Sequence, residues 1–323
     1  MSIIDSIDNV GKYTSLGVDQ GGKIHISYYD VSNADLKYVT NLSGPWEISI
    51  IDSAGEVGEY SSLGIKNNKV HISYYDNTHA MLKYATKISG SWEISTIDSS
   101  GYVGEYNSLK IDGDDKIHIS YYVSGDGDLR YATNKSGTWE ISIVDSTGYV
   151  GMYSSLGLDQ NGKAYISYYD EVNYDLKYAT NLNGTWEIYV VDSAGSIGSY
   201  TSLGVDSNKY VHISYYNGWP DYDLKYATNA SGSWQTFTID AGGIAGNWTS
   251  LFIDSTDKIH ISYRGGDAGL KYATNKSGSW EVMTIDPDTN TGGYTSIFMD
   301  QMGKAHISYY DYSEGDLKYA HQP

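Results

Sequence analysis

A six-residue motif, His-Ile-Ser-Tyr-Tyr-Asp, recurs along this chain at a spacing of about 47 residues, which is typical of repeat proteins. Its seven copies, some with substitutions, lie at 25–30, 71–76, 118–123, 165–170, 212–217, 260–265 and 306–311. Each copy is followed by a leucine, a basic residue and a tyrosine, and these leucines are Leu36, Leu82, Leu129, Leu176, Leu224, Leu270 and Leu317. A fixed period of this length indicates a stack or ring of small, similar units.

One unit of the repeat has the pattern of four short strands. In the first unit the strands are predicted at 13–19, 24–29, 35–41 and 46–52. Gly21 and Gly22 mark the turn between the first two strands, because glycine adopts a positive φ at little cost. No segment has helical periodicity. Seven units of four antiparallel strands predict an all-β fold, a seven-bladed β-propeller.

The two ends of the chain indicate how the ring closes. The seventh unit ends after its third strand, at 316–320, while Ser2-Ile3-Ile4-Asp5 matches the fourth strand of the first unit, 49–52. We therefore expect the N-terminal strand to complete the last blade, since a closed ring protects sheet edges. The expected blades are about 10–52, 57–98, 103–145, 150–192, 197–240, 244–286 and 292–323 plus 1–5. A linear solenoid is the alternative.

The charge and cysteine content exclude several classes of function. With 40 acidic and 21 basic residues, the net charge of -19 disfavours nucleic acid and anionic membranes, which need a basic surface. It suits cations, basic partners or neutral ligands, and it also simply favours solubility. Without cysteine there is no disulfide or thiol chemistry. No apolar run approaches the roughly 18 residues of a membrane span. Residues 1–5 do not resemble a signal peptide, and both extracellular and cytoplasmic locations remain open.

The complete pattern, His-Ile-Ser-Tyr-Tyr-Asp, then Leu-Lys-Tyr-Ala-Thr, then Ser-Gly-x-Trp-Glu, resembles the tandem-repeat propellers of many bacterial and archaeal proteins. The turn at 133–139 is also similar to the Asp-box of sialidase-type propellers, and it recurs at 41–46, 181–186, 229–234 and 275–280. Sialidases hold the substrate carboxylate with three arginines, whereas this chain has only Arg130 and Arg264. Seven similar units also resemble multivalent propeller lectins, which bind small sugars in shallow sites between blades.

Two polar positions recur in nearly every unit. The equivalent serines of the first strand are Ser15, Ser62, Ser108, Ser155, Ser202, Ser250 and Ser296. We interpret them as small residues that let the inner strands approach the axis. The histidines of the second strand are His25, His71, His118, His212, His260 and His306, with Tyr165 in the fourth unit. Each blade carries one, too far from its copies to share a metal, so we expect buried histidines bonded to strand or loop carbonyls.

Aspartates cluster where strands two and four end and where strand three begins, on the face of the strand four-to-one and two-to-three loops. They are Asp30, Asp76, Asp170 and Asp311; Asp35, Asp128, Asp175, Asp223 and Asp316; and Asp52, Asp98, Asp145, Asp192, Asp240 and Asp286. Such carboxylates could hold calcium. The simpler interpretation is that they accept hydrogen bonds from turn N–H groups, so no metal site is assigned.

Departures from the repeat concentrate in units five and six. Unit five has an expanded loop containing Trp219 and Asp221, and unit six has Trp248 in place of the repeated tyrosine. Unit six also ends its second strand with Arg264 and continues to Asp267. An exposed pair of tryptophans near an arginine would suit a sugar ring or an acidic group, so these five residues are the predicted ligand site. Drifted copies with a repacked rim are the alternative.

The sequence therefore predicts a non-catalytic recognition module that binds a glycan or a protein surface through its loop face. No catalytic residue is assigned and no cofactor is expected, apart from the open question of calcium. Neither nucleic acid nor membrane insertion is expected. The alternatives are a glycan-active hydrolase or lyase with one differentiated pocket, and a structural propeller without a small ligand.

Overall fold

The computed structural model describes residues 1–88 and 90–321, which form seven four-stranded antiparallel sheets arranged as the blades of a β-propeller. Blades one to six each consist of four consecutive strands, and blade seven combines the last three strands of the chain with the first. The predicted all-β, seven-bladed fold is confirmed. A 3-10 turn, Gly266–Ala268, follows the second strand of blade six.

The four strand positions recur in every blade. The innermost strands are Val10–Val18 (β2), Val57–Lys66 (β6), Val103–Ile111 (β10), Val150–Leu158 (β14), Ile197–Val205 (β18), Asn247–Ile253 (β22) and Gly293–Met299 (β26). The second strands are Ile24–Asp30 (β3), Lys69–Asp76 (β7), Ile117–Val123 (β11), Ala164–Asp170 (β15), Val211–Asn217 (β19), Ile259–Arg264 (β23) and Ala305–Asp311 (β27).

The third strands are Asp35–Thr40 (β4), Met81–Ile88 (β8), Asp128–Thr133 (β12), Asp175–Thr180 (β16), Asp223–Thr228 (β20), Leu270–Thr274 (β24) and Asp316–His321 (β28). The outermost strands are Glu47–Asp52 (β5), Ser91–Asp98 (β9), Glu140–Asp145 (β13), Glu187–Asp192 (β17), Gln235–Asp240 (β21), Glu281–Asp286 (β25) and, in blade seven, Ser2–Asp5 (β1). The predicted bounds hold within a few residues, but the first strand begins earlier than residue 13.

The N-terminal strand closes the ring as expected. β1 pairs antiparallel with β28, with Ser2 opposite Tyr319 and Ile3 opposite Lys318. Asp5 then lies opposite Leu317 after a one-residue irregularity. This pairing completes blade seven with strands from both ends of the chain and so holds the ring closed.

The hydrophobic core lies between blades. One cluster, for example, joins Leu36 and Ile51 of blade one to Val57, Ile72 and Tyr74 of blade two. The second strand has neighbours on both faces, so all seven residues of β3 are buried and polar residues do not alternate with apolar ones. Burial of this kind is the main favourable term in folding. The blades therefore stabilise one another.

A hydrogen-bonded group, which we call the seam latch, joins each pair of neighbouring blades. The aspartate that ends strand four accepts a hydrogen bond of 2.6–2.8 Å from the second-strand tyrosine of the next blade. A lysine or arginine of the next blade's third strand lies 2.5–3.5 Å from the same carboxylate. The same latch occurs at all seven seams between blades, which indicates a structural role.

The serine and histidine positions also have structural roles. Each first-strand serine Oγ accepts a hydrogen bond from a backbone N–H of the neighbouring blade's inner strand, at 2.9–3.1 Å. The histidine partners differ from the prediction: Nδ1 pairs with a tyrosine hydroxyl, as in His118 with Tyr131, and not with a carbonyl. Nε2 of His118 lies 3.1 Å from Asp112. The side chains satisfy one another because the strands leave few free carbonyls.

Candidate functional site

A bulge near the start of every innermost strand turns an aromatic side chain over the central channel. In blade one the register of β2 against β3 shifts on either side of Lys12, and Tyr13 has a φ of 52°. Gly11 has a φ of 109°, and a Cβ there would lie 2.8 Å from the Cα of Leu317. Only glycine fits this approach. β-bulges often redirect a side chain in this way.

The bulges assemble a continuous ring of aromatic side chains, which we call the collar, at the mouth of the channel on the loop face. Its members are Tyr13, Tyr60, Tyr106, Tyr153, Tyr200, Trp248 and Tyr294, all with φ of 49–56°. Neighbouring ring centroids are 4.5–5.2 Å apart around the whole circle. The collar lines a cavity of about 190 Å³ that is open to solvent.

A second aromatic position surrounds the collar in six blades and breaks in blade six. The second-strand residues Tyr29, Tyr75, Tyr122, Tyr169, Tyr216 and Tyr310 have ring centroids 6.2–6.3 Å from their collar partners. In blade six this place belongs to Arg264. Its guanidinium carbon lies 5.9 Å from the ring centroid of Trp248 and 4.9 Å from that of Tyr312. Two aromatic faces therefore hold a cation at the mouth.

The charge of Arg264 has no carboxylate beside it among the described residues. Its Nη2 donates to Oδ1 of Asn290 at 3.2 Å, and its Nε is buried without a hydrogen-bond partner in the described part of the chain. Arg130 also has an unpartnered Nε, but its charge is balanced by Asp98 at 3.3 Å and Asp126 at 3.2 Å. Arg264 is thus able to accept an anionic group at modest desolvation cost.

Two carboxylates stand on the other side of the mouth. Glu59 and Glu105 precede collar tyrosines in blades two and three, which face blade six across a sevenfold ring. Burial, followed by repulsion from Glu105, raises the pKa of Glu59. Ser124 Oγ donates to Glu105 at 2.7 Å. The mouth therefore has Arg264 on one side and two acids on the other. Lys12 of blade one, whose Nζ lies 5.8 Å from the ring centroid of Tyr310, is a second cation next to Glu59.

The collar phenols remain protonated over the physiological range. Burial raises the pKa of Tyr294 to about 12, and burial likewise raises the pKa of Tyr13, Tyr60 and Tyr200. Their hydroxyls are neutral donors and acceptors rather than bases. The collar therefore offers flat aromatic faces together with hydroxyl groups, a combination suited to a polyhydroxylated ring.

The structure brings together two of the five predicted site residues. Trp248 and Arg264 are in contact, but Trp248 is half-buried, so the expectation of two exposed tryptophans was wrong. Trp219 is 73% exposed in the blade-five loop, and no contact joins it to Trp248 within the described residues. Asp221 accepts from Asn217 at 3.2 Å, and Asp267 is exposed in the 3-10 turn.

Sequence reasoning missed most of the mouth. The collar tyrosines, Tyr312, Glu59 and Glu105 were not singled out. The available signal was the repeated Gly-x-Tyr at the start of each unit, in which glycine permits the bulge and the aromatic residue follows it. The residue between the glycine and the aromatic varies, and it adds charge to the mouth where it is lysine, in blade one, or glutamate, in blades two and three.

The aspartates that end strands two and four accept turn N–H groups as the simpler interpretation predicts. Asp52 Oδ1 accepts the N–H of Ala54 at 3.1 Å, and Asp30 Oδ1 accepts that of Asn33 at 3.0 Å. The aspartates that begin the third strands accept no such bond among the described residues, and burial raises the pKa of each of them: Asp35, Asp128, Asp175, Asp223 and Asp316. Across residues 1–88 and 90–321, no three His, Asp or Glu side chains are grouped so that they could hold a metal ion. No helix in the same residues is long and apolar enough to cross a membrane.

No protein-family model matches the chain, and no curated protein does. Solved propeller structures share its fold. An ulvan lyase, representing a family of polysaccharide lyases, has a TM-score of 0.67 at 12% identity, over 99% of this chain and 95% of that chain. AofleA from Arthrobotrys oligospora has a TM-score of 0.61 at 14% identity, over 89% of each chain.

The Aleuria aurantia lectin, a six-bladed fungal propeller described with its mode of fucose recognition, has a TM-score of 0.59 at 15% identity. The match covers 86% of this chain and 96% of that chain, as six blades out of seven would. Identities this low establish a shared fold and nothing finer.

Proposed function

We propose that the protein is a non-catalytic carbohydrate-binding propeller whose principal site is the mouth of the channel around Trp248 and Arg264. The observation that carries this proposal is the open aromatic collar with an arginine whose charge lacks a carboxylate partner. The lectins among the propellers of similar fold support it. The collar provides surfaces for the apolar face of a sugar ring, and its hydroxyls can pair with sugar hydroxyls.

Blade six gives the mouth an orientation. A sugar ring that packs on Trp248 or Tyr312 would bring its substituents toward the Arg264 guanidinium, which lies within 6 Å of both rings. Because no carboxylate among the described residues pairs with Arg264, a carboxylate substituent that reached the Nη groups of its guanidinium would gain charge-assisted hydrogen bonds there. We therefore favour oligosaccharides that contain a uronic acid over neutral ones.

The test is calorimetric titration with matched neutral and uronate-containing oligosaccharides. Arg264→Tyr and Trp248→Tyr restore residues that the equivalent positions of the other six blades carry, so folding should be kept. We expect one site per chain, and binding of the uronate ligand about tenfold weaker in Arg264→Tyr, as expected for loss of a charge-assisted hydrogen bond.

Trp219→Ala measures whether the blade-five loop extends the site, and a smaller loss is expected there because the loop does not contact the collar. Unchanged affinity in both Arg264→Tyr and Trp248→Tyr would refute the proposal. A stoichiometry near seven per chain would instead favour equivalent sites between blades, as in a multivalent lectin, with avidity for repeated glycans.

A second candidate, a glycan hydrolase or lyase, is favoured by Glu59 and Glu105. A carboxyl with a raised pKa beside a second carboxylate is the arrangement of general-acid catalysis at a glycosidic bond. Product release from an oligosaccharide, abolished in Glu59→Gln, would support it. The contacts of the hairpin that is similar to the Asp-box do not support a sialidase-like activity. In that hairpin Asn134 accepts the N–H of Ile117 and Trp139 packs on Tyr84, on the face away from the mouth.

A further inference from the structure

The lower part of the central channel, beneath the collar, is a separate cavity of about 330 Å³. The seven first-strand serines line it, together with the apolar residues that follow them. Its two charged side chains are Lys66 and Lys110, and no aspartate or glutamate is among its lining residues. The protein has a net charge of -19, so a cavity lined at random would contain more acidic than basic side chains, and this one contains only basic ones.

The serine ring presents hydroxyl hydrogens to this cavity. Each serine Oγ already accepts a backbone N–H from the neighbouring blade, as between Ser15 and Leu63 at 2.9 Å. None of the seven donates its hydroxyl hydrogen to a protein acceptor among the described residues. A hydroxyl has one donor and two acceptor sites, so the donor remains for a molecule in the channel. Donors without acceptors in a confined space favour an anion or water.

Lys110 breaks the symmetry of the ring below the serines. The equivalent residues are Gly17, Gly64, Gly157, Gly204, Phe252 and Phe298. The side chain of Lys110 is exposed to the channel and makes no ion pair or hydrogen bond in the described part of the chain. By contrast, Lys66 donates to the carbonyls of Asp112 and Gly113 and pairs with Asp115 at 3.4 Å.

The lysines of the third strands, which have structural roles, are paired with carboxylates. Lys177, for instance, lies 2.9 Å from Asp170 and 3.4 Å from Asp145. Lys110 has no such counter-charge among the described residues, and its side chain is exposed to the channel, so its ammonium is free to pair with an anion there.

We propose that the lower channel binds one small inorganic anion on the propeller axis, held by the Lys110 ammonium and by serine hydroxyl donors. The site is independent of the glycan site because the collar and the lower cavity share no lining residue. Ammonium and hydroxyl donors that converge on an anion form strong charge-assisted hydrogen bonds.

Bromide is the probe for this site, since it can be located in crystals by anomalous scattering and followed in solution by the broadening of its NMR line. Lys110→Gly reproduces the residue of four other blades, and Lys110→Met keeps most of the volume without the charge. Lys135→Met, at an exposed loop lysine, is the matched control.

We expect an anomalous peak on the axis within hydrogen-bond distance of Lys110 Nζ. The protein-dependent line broadening should fall about tenfold in both Lys110 variants, consistent with loss of a charge-assisted contact, and should persist in Lys135→Met. A channel that contains only water, or equal broadening in wild type and Lys110→Gly, would overturn the proposal.

Discussion

The seams between blades and the mouth of the channel are built from the same repeat, yet they tolerate different changes. Every seam has an aspartate, a tyrosine and a basic residue in the same contact, and the one replacement, Arg130 for lysine, keeps the charge. At the mouth, blade six differs at two repeated tyrosine positions: Trp248 takes the place of the collar tyrosine, and Arg264 takes the place of the second-strand tyrosine.

The reason for the difference is physical. A seam residue is buried and bonded on several sides, so a change there leaves charges or donors without partners. A mouth residue has water on one side, so a charged side chain can replace the repeated aromatic there and stay hydrated, as Arg264 does. Repetition therefore identifies structural residues in this molecule, and departure from it identifies the surface on which a ligand could be selected.

The largest expected effect comes from breaking a seam latch. Asp145 is 2% exposed, accepts from Tyr168 at 2.7 Å and lies 3.4 Å from Lys177. Burial would raise the pKa of Asp145, but hydrogen bonds from Thr147, Tyr168 and Lys177 outweigh burial and hold that pKa below its usual range. Lys177 keeps Asp170 at 2.9 Å, so Asp145→Ala should lower the free energy of unfolding by about 2–3 kcal/mol, the cost of leaving the buried Tyr168 hydroxyl and the Thr147 N–H without an acceptor.

Urea denaturation measures this change, and two further variants show whether burial is the cause. Asp126→Ala removes an exposed partner of Arg130 and should cost less than about 1 kcal/mol. Arg264→Tyr, at the mouth, should also stay within about 1 kcal/mol of wild type. Equal losses in Asp145→Ala and Asp126→Ala would show that the latch adds no more than a surface ion pair.

Much of this architecture could be predicted because each structural feature occurs several times along the sequence at the same place in the repeat. Ring closure followed from the likeness of residues 2–5 to 49–52, and the pairing of Ser2 with Tyr319 confirms it. Seven copies with one period indicated the number of blades. Even the structural interpretation of the serines and histidines followed from repetition, because a catalytic residue has no reason to occur once in every blade.

The contacts between blades could not be read in the same way. The three members of a seam latch come from strands four, two and three of two different units, and the spacing along the chain does not tell which repeated residues meet. The collar was missed because a positive φ at Tyr13 is unusual for a bulky residue and only the tertiary packing around Gly11 imposes it. Arg264 was found because departures from a repeat are visible in sequence.

One seam differs from the other six. In six seams a hairpin tryptophan packs on the third-strand tyrosine of the preceding blade, with centroids 5.1–5.7 Å apart, as Trp280 does on Tyr226. Tyr272 of blade six has no such partner among the described residues. It borders an apolar groove of about 320 Å³ with Met283 and Ile307.

Placing Gly-Thr-Trp-Glu-Ile directly before Ser2, in the order that precedes strand four elsewhere, should fill this groove with an indole. Burial of the ring should raise the free energy of unfolding by about 1–2 kcal/mol. Thermal denaturation compared with the same extension carrying Ala in place of Trp isolates the indole. If both extensions unfold at the same temperature, the groove does not accept the ring and the seams are less alike than the repeat implies.

The smallest expected effect compares blade four with the other blades at the histidine position. Burial lowers the pKa of the repeated histidines, and it lowers that of His71 to about 4. The unfolded chain, with a histidine pKa of about 6.5, binds more protons between these values, so stability should fall as the pH drops from about 6.5. His71→Tyr, which copies blade four, should reduce this slope by up to about 1.4 kcal/mol per pH unit.

Tyr165→His is the reciprocal change, and it should make the slope steeper. Asp159 occupies the position in blade four that Asp112 occupies in blade three, where Asp112 pairs with His118. The hydroxyl of Tyr165 has no hydrogen-bond partner in the described residues, so the substitution breaks no hydrogen bond. Urea unfolding at a series of pH values between 5 and 7 measures both slopes. If neither substitution changes the slope, the acid sensitivity comes instead from carboxylates whose pKa is lowered in the folded protein, such as Asp145 of the seam latch. That result would make the seam carboxylates, and not the histidines, the acid-sensitive part of the repeated core, while the raised pKa of Glu59 gives the mouth a slope of the opposite sign.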